Sequence, residues 1–573
     1  MLGVYTMGDY YKLLIFILLI AGVGIVSGIH NSFKRRRKIR AKILETWGKA
    51  PKEKYRTEDF DSIASYYQNK RSLSGNKFLM DDITWNDLDM SKIFMRINNT
   101  HSSPGEEYLY CMMREPSFDE ADLKERGRVI GLFQKNAEGR RKLQYLLELL
   151  GKQRYADISN FITDFSYMEL NNAFMYKFLA FMPIASVLLC VVDFKLGVPA
   201  LLASILTNML LYYNLKKKIE TQLLSISYAA RLVSIAGKIL KLDIDGLDEY
   251  KKSISKSLGK LKGIAKRMYF LIDNYEDFFL MYLKIIFLIE VLSYDKILGI
   301  LKKNREEFRS LYETIGFLDS MISIASYRES LAFYTEPDFI KDLSKGGYAV
   351  CAGEVYHPLI EKPVTNSIDI SRSILITGSN ASGKSTFLKT LAINSIFAQT
   401  IYTCLAKEYS TIFLFTMTSM ALRDSIENNE SYFIAEIKSL KRIFSMINDE
   451  IPCFCFIDEI LRGTNTIERI AASSRVLKNL SLKNCICMAA THDIELTGIL
   501  EGIYDNYHFR EEITDDDVVF DYKLYEGKAR SRNALKLLKL MGFDNSIVED
   551  AEKAAYDFEQ NGTWASIEKN SKK

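Results

Sequence analysis

The sequence predicts a multidomain chain in which a mainly helical body, carrying apolar segments of bilayer length, leads into a C-terminal α/β domain with a parallel sheet. Three observations predict it. Residues 13–29 and the two stretches flanking 193–199 are apolar runs. Residues 220–340 alternate charged and apolar residues at helical spacing with few Gly or Pro. Residues 374–391 read as a strand, a small polar loop and a helix. A length of 573 residues is too great for one hydrophobic core, and 9 prolines among abundant Leu, Ile, Lys and Glu favour helix.

The net charge of +4 is close to balanced, so nothing global argues for nucleic acid and any basic surface is local. The 8 cysteines are scattered, which fits a reduced compartment. Cys453 with Cys455 and Cys485 with Cys487 invite a four-thiolate metal reading. Each pair lies in an apolar run, however, where alternate residues share one face of a buried strand, and core cysteine is the better account.

In chain order, 13–29 is just long enough to cross a bilayer. It is followed at once by Lys34, Arg35, Arg36, Arg37, Lys38, Arg40 and Lys42. Positive charge after the span predicts an N-terminus outside and the remainder inside, and only Lys12 precedes the apolar run as a signal peptide would require. A basic nucleic-acid arm is the competing reading of the cluster; beside a span, the positive-inside rule with contact to anionic membrane lipid is simpler. Around 102–113, Ser102, Ser103, Pro104 and Glu106 mark a helix start, and Tyr108, Leu109, Met112 and Met113 form its apolar stripe. Helical period continues over 118–150.

A second membrane signal covers 174–213. Its two apolar halves, 178–192 and 201–213, are joined by a polar break at 193–199 and followed by Lys216, Lys217 and Lys218, which predicts a hairpin returning to the cytoplasmic side. A buried helical hairpin is the alternative, because each half is short for a span. The apolar stretch 278–292 reads instead as a core helix, since Lys284 and Glu290 lie inside it and a further span would break the topology.

The chemistry is concentrated after 374. ILITGSNASGKSTFLKTL places Gly378, Gly383, Lys384 and Ser385 in the four fixed positions of G-x-x-x-x-G-K-[ST], between a strand pattern and a helix pattern. Backbone N–H groups must converge on phosphate oxygens there, so the loop side chains are small. Lys384 supplies a cation for the β- and γ-phosphates, and Ser385 a hydroxyl for Mg2+. CFCFIDE at 453–459 is a buried strand ending in Asp458, suited to the Mg2+ shell, and Glu459, suited to polarising a water in line with the γ-phosphate. CICMAATHD at 485–493 delivers His492 to the same sheet edge as a candidate γ-phosphate sensor. Three apolar strands with helices between them predict a parallel sheet with chemistry at the carboxyl ends.

In order, TGSNASGKST, DSIENNESYFIAE, FIDEILRGTNT, ATHDIEL and GKARSRNALKLLKLMGF resemble the ATPase domain of the MutS mismatch-repair family, within the ABC-type ATPases. YHPLI at 356–360 resembles the entry to that domain, and WNDLDMSKIFMRINNTHSSPGEEYLYCMMREP resembles the start of the family's helical core or lever domain. The resemblance implies that ATP and Mg2+ are held by Gly378, Ser379, Asn380, Ala381, Ser382, Gly383, Lys384, Ser385 and Thr386, with Ser385 and Asp458 on the metal. It implies Glu459, Lys384 and His492 as catalytic residues, with His492 the switch histidine. Ser431 falls where the family presents a serine to the partner's γ-phosphate, which implies a homodimer with composite ATP sites; Tyr432 stands where mismatch-repair members carry Thr. Arg530 to Leu535 fall among the dimerisation helices, and duplex DNA is the ligand that family membership implies.

The domains expected are an N-terminal transmembrane anchor (1–32), a basic linker (33–79), the lever's first part (80–173), a transmembrane hairpin (174–215), the lever's second part (216–345) and the ATPase domain (346–573), cytoplasmic at a bacterial inner membrane. The space before residue 80 is too short for the family's mismatch-reading and connector domains. Phe118-Asp119-Glu120 matches the family's Phe-x-Glu wedge string only by coincidence, at the head of a lever helix. Two other functions compete. An ABC exporter half carries about six spans and an LSGGQ-like signature, where this chain has fewer spans and ESYFIAE. A noncatalytic membrane scaffold would use ATP only as a dimerisation switch. The sequence names no protein partner or cargo.

Overall fold

A computed structural model describes residues 30–566 apart from 32, 53–54, 74–77, 154–168, 171–172, 272–277, 342–346, 380–381, 421–431, 514–517, 530–537 and 539–541. The expected span at 13–29, Asn380, Ala381, Ser431 and the segment from Arg530 to Leu535 lie outside the described residues. The chain divides into two compact units, one drawn from residues before 78, 94–115 and 124–331, the other from 78–93, 116–123 and residues from 332 on.

The first unit is helical. Helix α1 (Thr57–Leu73) packs on α2 (Ser103–Arg114), with the Tyr67 and Tyr110 rings 6.2 Å apart edge to face. This corrects the expected linker over 33–79, since 33–46 is helical too. Ala, Tyr and Ile in α1 supplied a buried face that the flanking charge masked. Helix α2 starts where its cap predicts: Ser102 Oγ accepts from Gly105 N at 3.3 Å, and Pro104 occupies the first turn. Against it lies α6 (Arg305–Glu329), whose buried Asp319 accepts from His101 N at 3.1 Å and Ser102 N at 2.8 Å. Burial raises the Asp319 pKa. Helix α3 (Ala137–Leu150) ends near Glu148, which accepts from Lys42 Nζ at 2.5 Å and lies 3.0 Å from His101 Nδ1.

Two further helices, α4 (Ala173–Val192) and α5 (Phe194–Ile239), are long and apolar enough to cross a membrane. They meet at Asp193, whose Oδ1 caps α5 by accepting from Lys195 N at 2.9 Å. The break between the helices is therefore this one residue, not 193–199, and α5 runs on through Pro199, which forgoes one intrahelical hydrogen bond. Gly197 lets α5 close on the Cys190 backbone, where a Cβ would collide. Only 22% of the apolar window of α4 is buried, and 11% of that of α5, so the hairpin is not the buried one weighed above. Nor does α5 end at 215: it runs on as the first unit's central helix, with a non-helical residue at Ile219. The run 278–292 forms helices Phe278–Ile286 and Ile289–Lys303 around Leu288 at φ +48°, with Lys284 and Glu290 buried.

The second unit holds, among the described residues, two sheets. Strands β1 (Asp338–Phe339), β2 (Val350–Val355), β3 (Asn366–Ile370) and β5 (Glu408–Thr411) form one in the order β1-β5-β2-β3. The other is β10-β9-β4-β8-β7-β6, from β4 (Ile374–Thr377), β6 (Phe415–Ser419), β7 (Cys453–Asp458), β8 (Cys485–Thr491), β9 (Asp505–Ile513) and β10 (Val518–Glu526). It is parallel except for β10. Helices α7 (Lys384–Thr400), α8 (Tyr432–Met446) and α9 (Thr466–Ser481) connect these strands, and α10 (Asn545–Asn561) follows them.

Residues 78–93, with 80–93 expected in the lever, belong to this unit. Asp87 Oδ2 accepts from Thr418 Oγ1 at 2.7 Å and Met420 N at 2.9 Å, and Asp81 pairs with Arg442 of α8. Phe118 is half-buried against the core of this unit, its ring 5.4 Å from that of Phe78 and 6.2 Å from that of Phe413. The cysteine pairs face one another across β7 and β8 in register, Cys453 with Cys485 and Cys455 with Cys487; all but Cys485 are buried.

Candidate nucleotide site

Strand β8 lies between β4 and β7, and the register aligns Thr377 with Thr491 and Asp458 with Ala490. The sheet therefore releases the phosphate loop, the acidic pair and His492 at one edge, as expected at carboxyl ends of parallel strands. Gly378 at φ +147° and Gly383 at φ +107° adopt backbone that side chains disfavour. A Cβ on Gly378 would sit 2.8 Å from Phe509 O, and one on Gly383 would sit 3.3 Å from the Tyr522 ring. Gly383 also caps α7, so the positive helix end opens onto the loop.

Lys384 is buried, and its Nζ donates to Gly378 O at 2.8 Å and Ser379 O at 2.7 Å. Burial lowers its pKa against the raising pull of Asp458, Glu459 and Glu511, and an arriving anion would favour the charged form further. Ser382 Oγ donates to Ser379 O at 2.9 Å, and Ser379 Oγ to Glu511. Ser385 and Thr386 line the cavity with Glu459.

Burial pushes the Asp458 carboxyl up, while a hydrogen bond with Ser385 pulls it down. Its buried Oδ1 has no hydrogen-bond partner. A carboxylate oxygen orphaned beside a serine hydroxyl and a phosphate loop suits a hard divalent cation, so these residues fit Mg2+. No group of three or more His, Cys, Asp or Glu side chains able to hold a metal occurs among the described residues.

Glu459, at φ +54°, is gripped from two sides: Oε1 lies 3.0 Å from His492 Nε2, and Oε2 lies 2.8 Å from Arg462 Nη1. His492 Nε2 is also 3.4 Å from Lys384 Nζ, so the three expected catalytic residues form one continuous cluster. The bidentate pair of Arg469 with Asp493, at 2.8 and 2.6 Å, fixes the turn just after His492.

Sequence reasoning missed four features. Glu436 of α8 is buried, and its Oε1 accepts from Leu461 N and from Arg462 N, the latter at 3.4 Å. Leu461 stands at φ +56°, so Glu436 braces a loop with two left-handed residues. Arg462 occupies Glu459. His357 lines the cavity, and burial brings its pKa down to about 4, leaving it neutral at physiological pH. Tyr522 and Phe509 close one wall. Glu436 lay within the motif SYFIAE, and His357 within YHPLI, but spacing could not say what they touch. The cavity of about 470 Å3 runs from the loop along Val355, Ile360, Pro363 and Val364, an apolar wall beside a phosphate cradle, as a nucleoside requires.

Fold and loop define a P-loop nucleotide-binding domain. Residues 374–559 match the family described as MutS domain V. The chain is 32% identical over 283 residues to MutS protein homolog 4 of Mus musculus, covering 45% of this chain and 28% of that protein. It is 28% identical over 272 residues to the DNA mismatch repair protein MutS of Aquifex pyrophilus (44% and 31%), and 29% identical over 299 residues to the DNA mismatch repair protein Msh3 of Dictyostelium discoideum (47% and 20%). It thus spans under a third of the length of each of these relatives. These likenesses support the MutS family and, with it, ATPase activity in the second unit.

Proposed function

We propose that this chain is a membrane-anchored, Mg2+-dependent MutS-like ATPase that works as a dimer, its nucleotide cycle moving helical arms near the cytoplasmic face of a membrane. The observation that carries the reading is the clustering of Asp458 and His492 with Lys384 and Glu459, the latter two lining the cavity of the phosphate loop. Lys384 and the α7 N-terminus neutralise the phosphates. Ser385 and Asp458 would hold Mg2+, which when bound supplies charge stabilisation on the phosphate oxygens. Glu459 accepts a proton from the attacking water once Arg462 lets go of it, and His492 holds the carboxylate in place meanwhile.

Several lengths support the membrane part. Helix α4 has 20 residues, about 30 Å, and α5 from its start to Lys216 is about 33 Å, close to the ~30 Å hydrocarbon core. Phe174, Val192 and Phe194 are more than 70% exposed, which water would penalise.

Dimerisation through Ser431 and duplex DNA as ligand are the parts taken from family resemblance, mismatch repair being what the names of two relatives state. ATP turnover by the full chain in detergent, with and without duplex DNA over a salt series, tests the reading. Hydrolysis stimulated by DNA in a steeply salt-dependent way is expected. Absence of hydrolysis refutes the enzyme, and absence of DNA binding at low salt removes DNA.

A further inference from the structure

A second site lies on the hairpin, about 420 Å3 in volume and open along its length. Its floor is one stripe of α5, namely Thr207, Leu210, Leu211, Asn214, Leu215 and Lys218, with Tyr176 of α4 as its side wall. The spacings of three and four keep these residues on a single helical face. The stripe is graded in polarity: beyond Thr207, toward the hairpin tip, its middle is aliphatic at Leu210 and Leu211, and its other end carries an amide and an ammonium beside Leu215. Thr207 to Lys218 spans eleven residues, about 16 Å, roughly half the ~30 Å hydrocarbon core and so the depth of one leaflet.

The charges at the polar end are unequal. Lys216 is tied into the helix bundle, its Nζ 3.9 Å from the buried Glu290 and 3.3 Å from Tyr212 Oη, which itself hydrogen-bonds to Glu290. Lys217 and Lys218 are exposed and have no acidic partner within ion-pair distance among the described residues. Asn214 adds an exposed amide one turn away. A buried, hydrogen-bonded layer thus holds Lys216 inward and leaves a net positive charge where the aliphatic stripe ends.

We propose that this groove is a binding site for one anionic glycerophospholipid of the cytoplasmic leaflet, with its phosphate on Lys218 and Asn214 and an acyl chain along Leu210, Leu211 and Leu215. The inference rests on the membrane reading above and adds a ligand to it. Exposed Leu206 and Leu210 continue the groove into the lipid-facing surface, so a bound lipid would enter sideways from the bilayer. Juxtamembrane lysines attract anionic headgroups by about 1 kcal/mol each, which for Lys218 converts to about a fivefold change in binding.

The test uses the full chain purified in detergent and supplied with phosphatidylglycerol, phosphatidylcholine or inorganic phosphate, reading retained lipid by native mass spectrometry. Phosphatidylglycerol is expected to be held at about one per chain, several-fold more than phosphatidylcholine, with inorganic phosphate not competing. Lys218→Gln is expected to reduce retention about fivefold, and Asn214→Leu to reduce it as well, while ATP turnover stays unchanged. Equal retention of the two lipids, displacement by free phosphate, or wild-type retention in Lys218→Gln overturns the proposal. So does loss of a dimer rather than of lipid, which would make a second copy the occupant. Detergent phase partitioning separates the two claims: a chain that stays in the aqueous phase defeats the membrane reading, whereas one that partitions but shows no lipid preference defeats the groove alone.

Discussion

Replacing Glu436 by Gln removes one charge and almost no volume from the brace beneath the catalytic loop. The carboxylate accepts backbone N–H groups of Leu461 and Arg462 through Oε1, while Oε2 is buried with no hydrogen-bond partner. Hydrogen bonds to a charged group contribute about 1.5–3 kcal/mol, against about 1 kcal/mol for neutral ones. The amide keeps the acceptor and loses the charge assistance, while its NH2 takes the place of an oxygen that already lacks a partner. The net loss on the loop is about 0.5–2 kcal/mol. The loop carries Glu459 and Leu461 at left-handed backbone, so its relaxation misplaces the Glu459 carboxylate. Turnover should fall about 2- to 30-fold. Glu436 does not line the cavity, so ATP affinity should hold within about threefold. Single-turnover hydrolysis and fluorescent-nucleotide binding on Glu436→Gln and Glu436→Asp measure both quantities. Unchanged turnover, or affinity and turnover falling together with thermal stability, would refute the reasoning.

Three other perturbations follow from named contacts. Gly105→Ala would place a Cβ within 2.5 Å of Asp319 Cγ and 2.6 Å of its Cβ, and should cost about 3 kcal/mol, seen as a lower unfolding midpoint of the first unit. Gly383→Ala meets both the positive φ and the Tyr522 ring, so ATP affinity should drop by at least about tenfold while the melting temperature barely moves. For Glu148, burial alone would raise the pKa, but hydrogen bonds from His101 and Lys42 outweigh it and bring the carboxyl down to about 2. A depressed carboxyl stabilises the fold above its ordinary value near 4.5 and loses that stability as pH falls toward 2. Thermal melts should therefore show wild type losing about 2–3 kcal/mol more than Glu148→Gln across that window.

The second unit was legible because its signals are local. A strand, a glycine loop and a helix share eighteen consecutive residues at 374–391, and the strands ending in Asp458 and His492 are short apolar runs bounded by chemistry. Their adjacency could be inferred from the parallel fold; the grip of Arg462 and Glu436 could not, since left-handed backbone at Glu459 and Leu461 arises from the loop's closure and has no glycine to announce it. In the first unit, helix α2 was readable from Ser102 and Pro104, whereas α1 hid its apolar face among charged neighbours and read as a linker. Residues 78–93 and Phe118 sat in stretches resembling the lever but pack with the second unit, because contacts between distant segments, such as Asp87 with Thr418, decide membership. The hairpin was seen, but α5 continues past Lys218 because helical propensity does not change there, only polarity.

The central claim, that Lys384, Asp458, Glu459 and His492 form a working hydrolytic site, is tested most directly by Mg·ATP binding and turnover in Glu459→Gln beside wild type. The structure predicts that the variant binds ATP at near wild-type affinity yet loses turnover by at least about a hundredfold. Turnover at the wild-type rate in that variant would contradict the account.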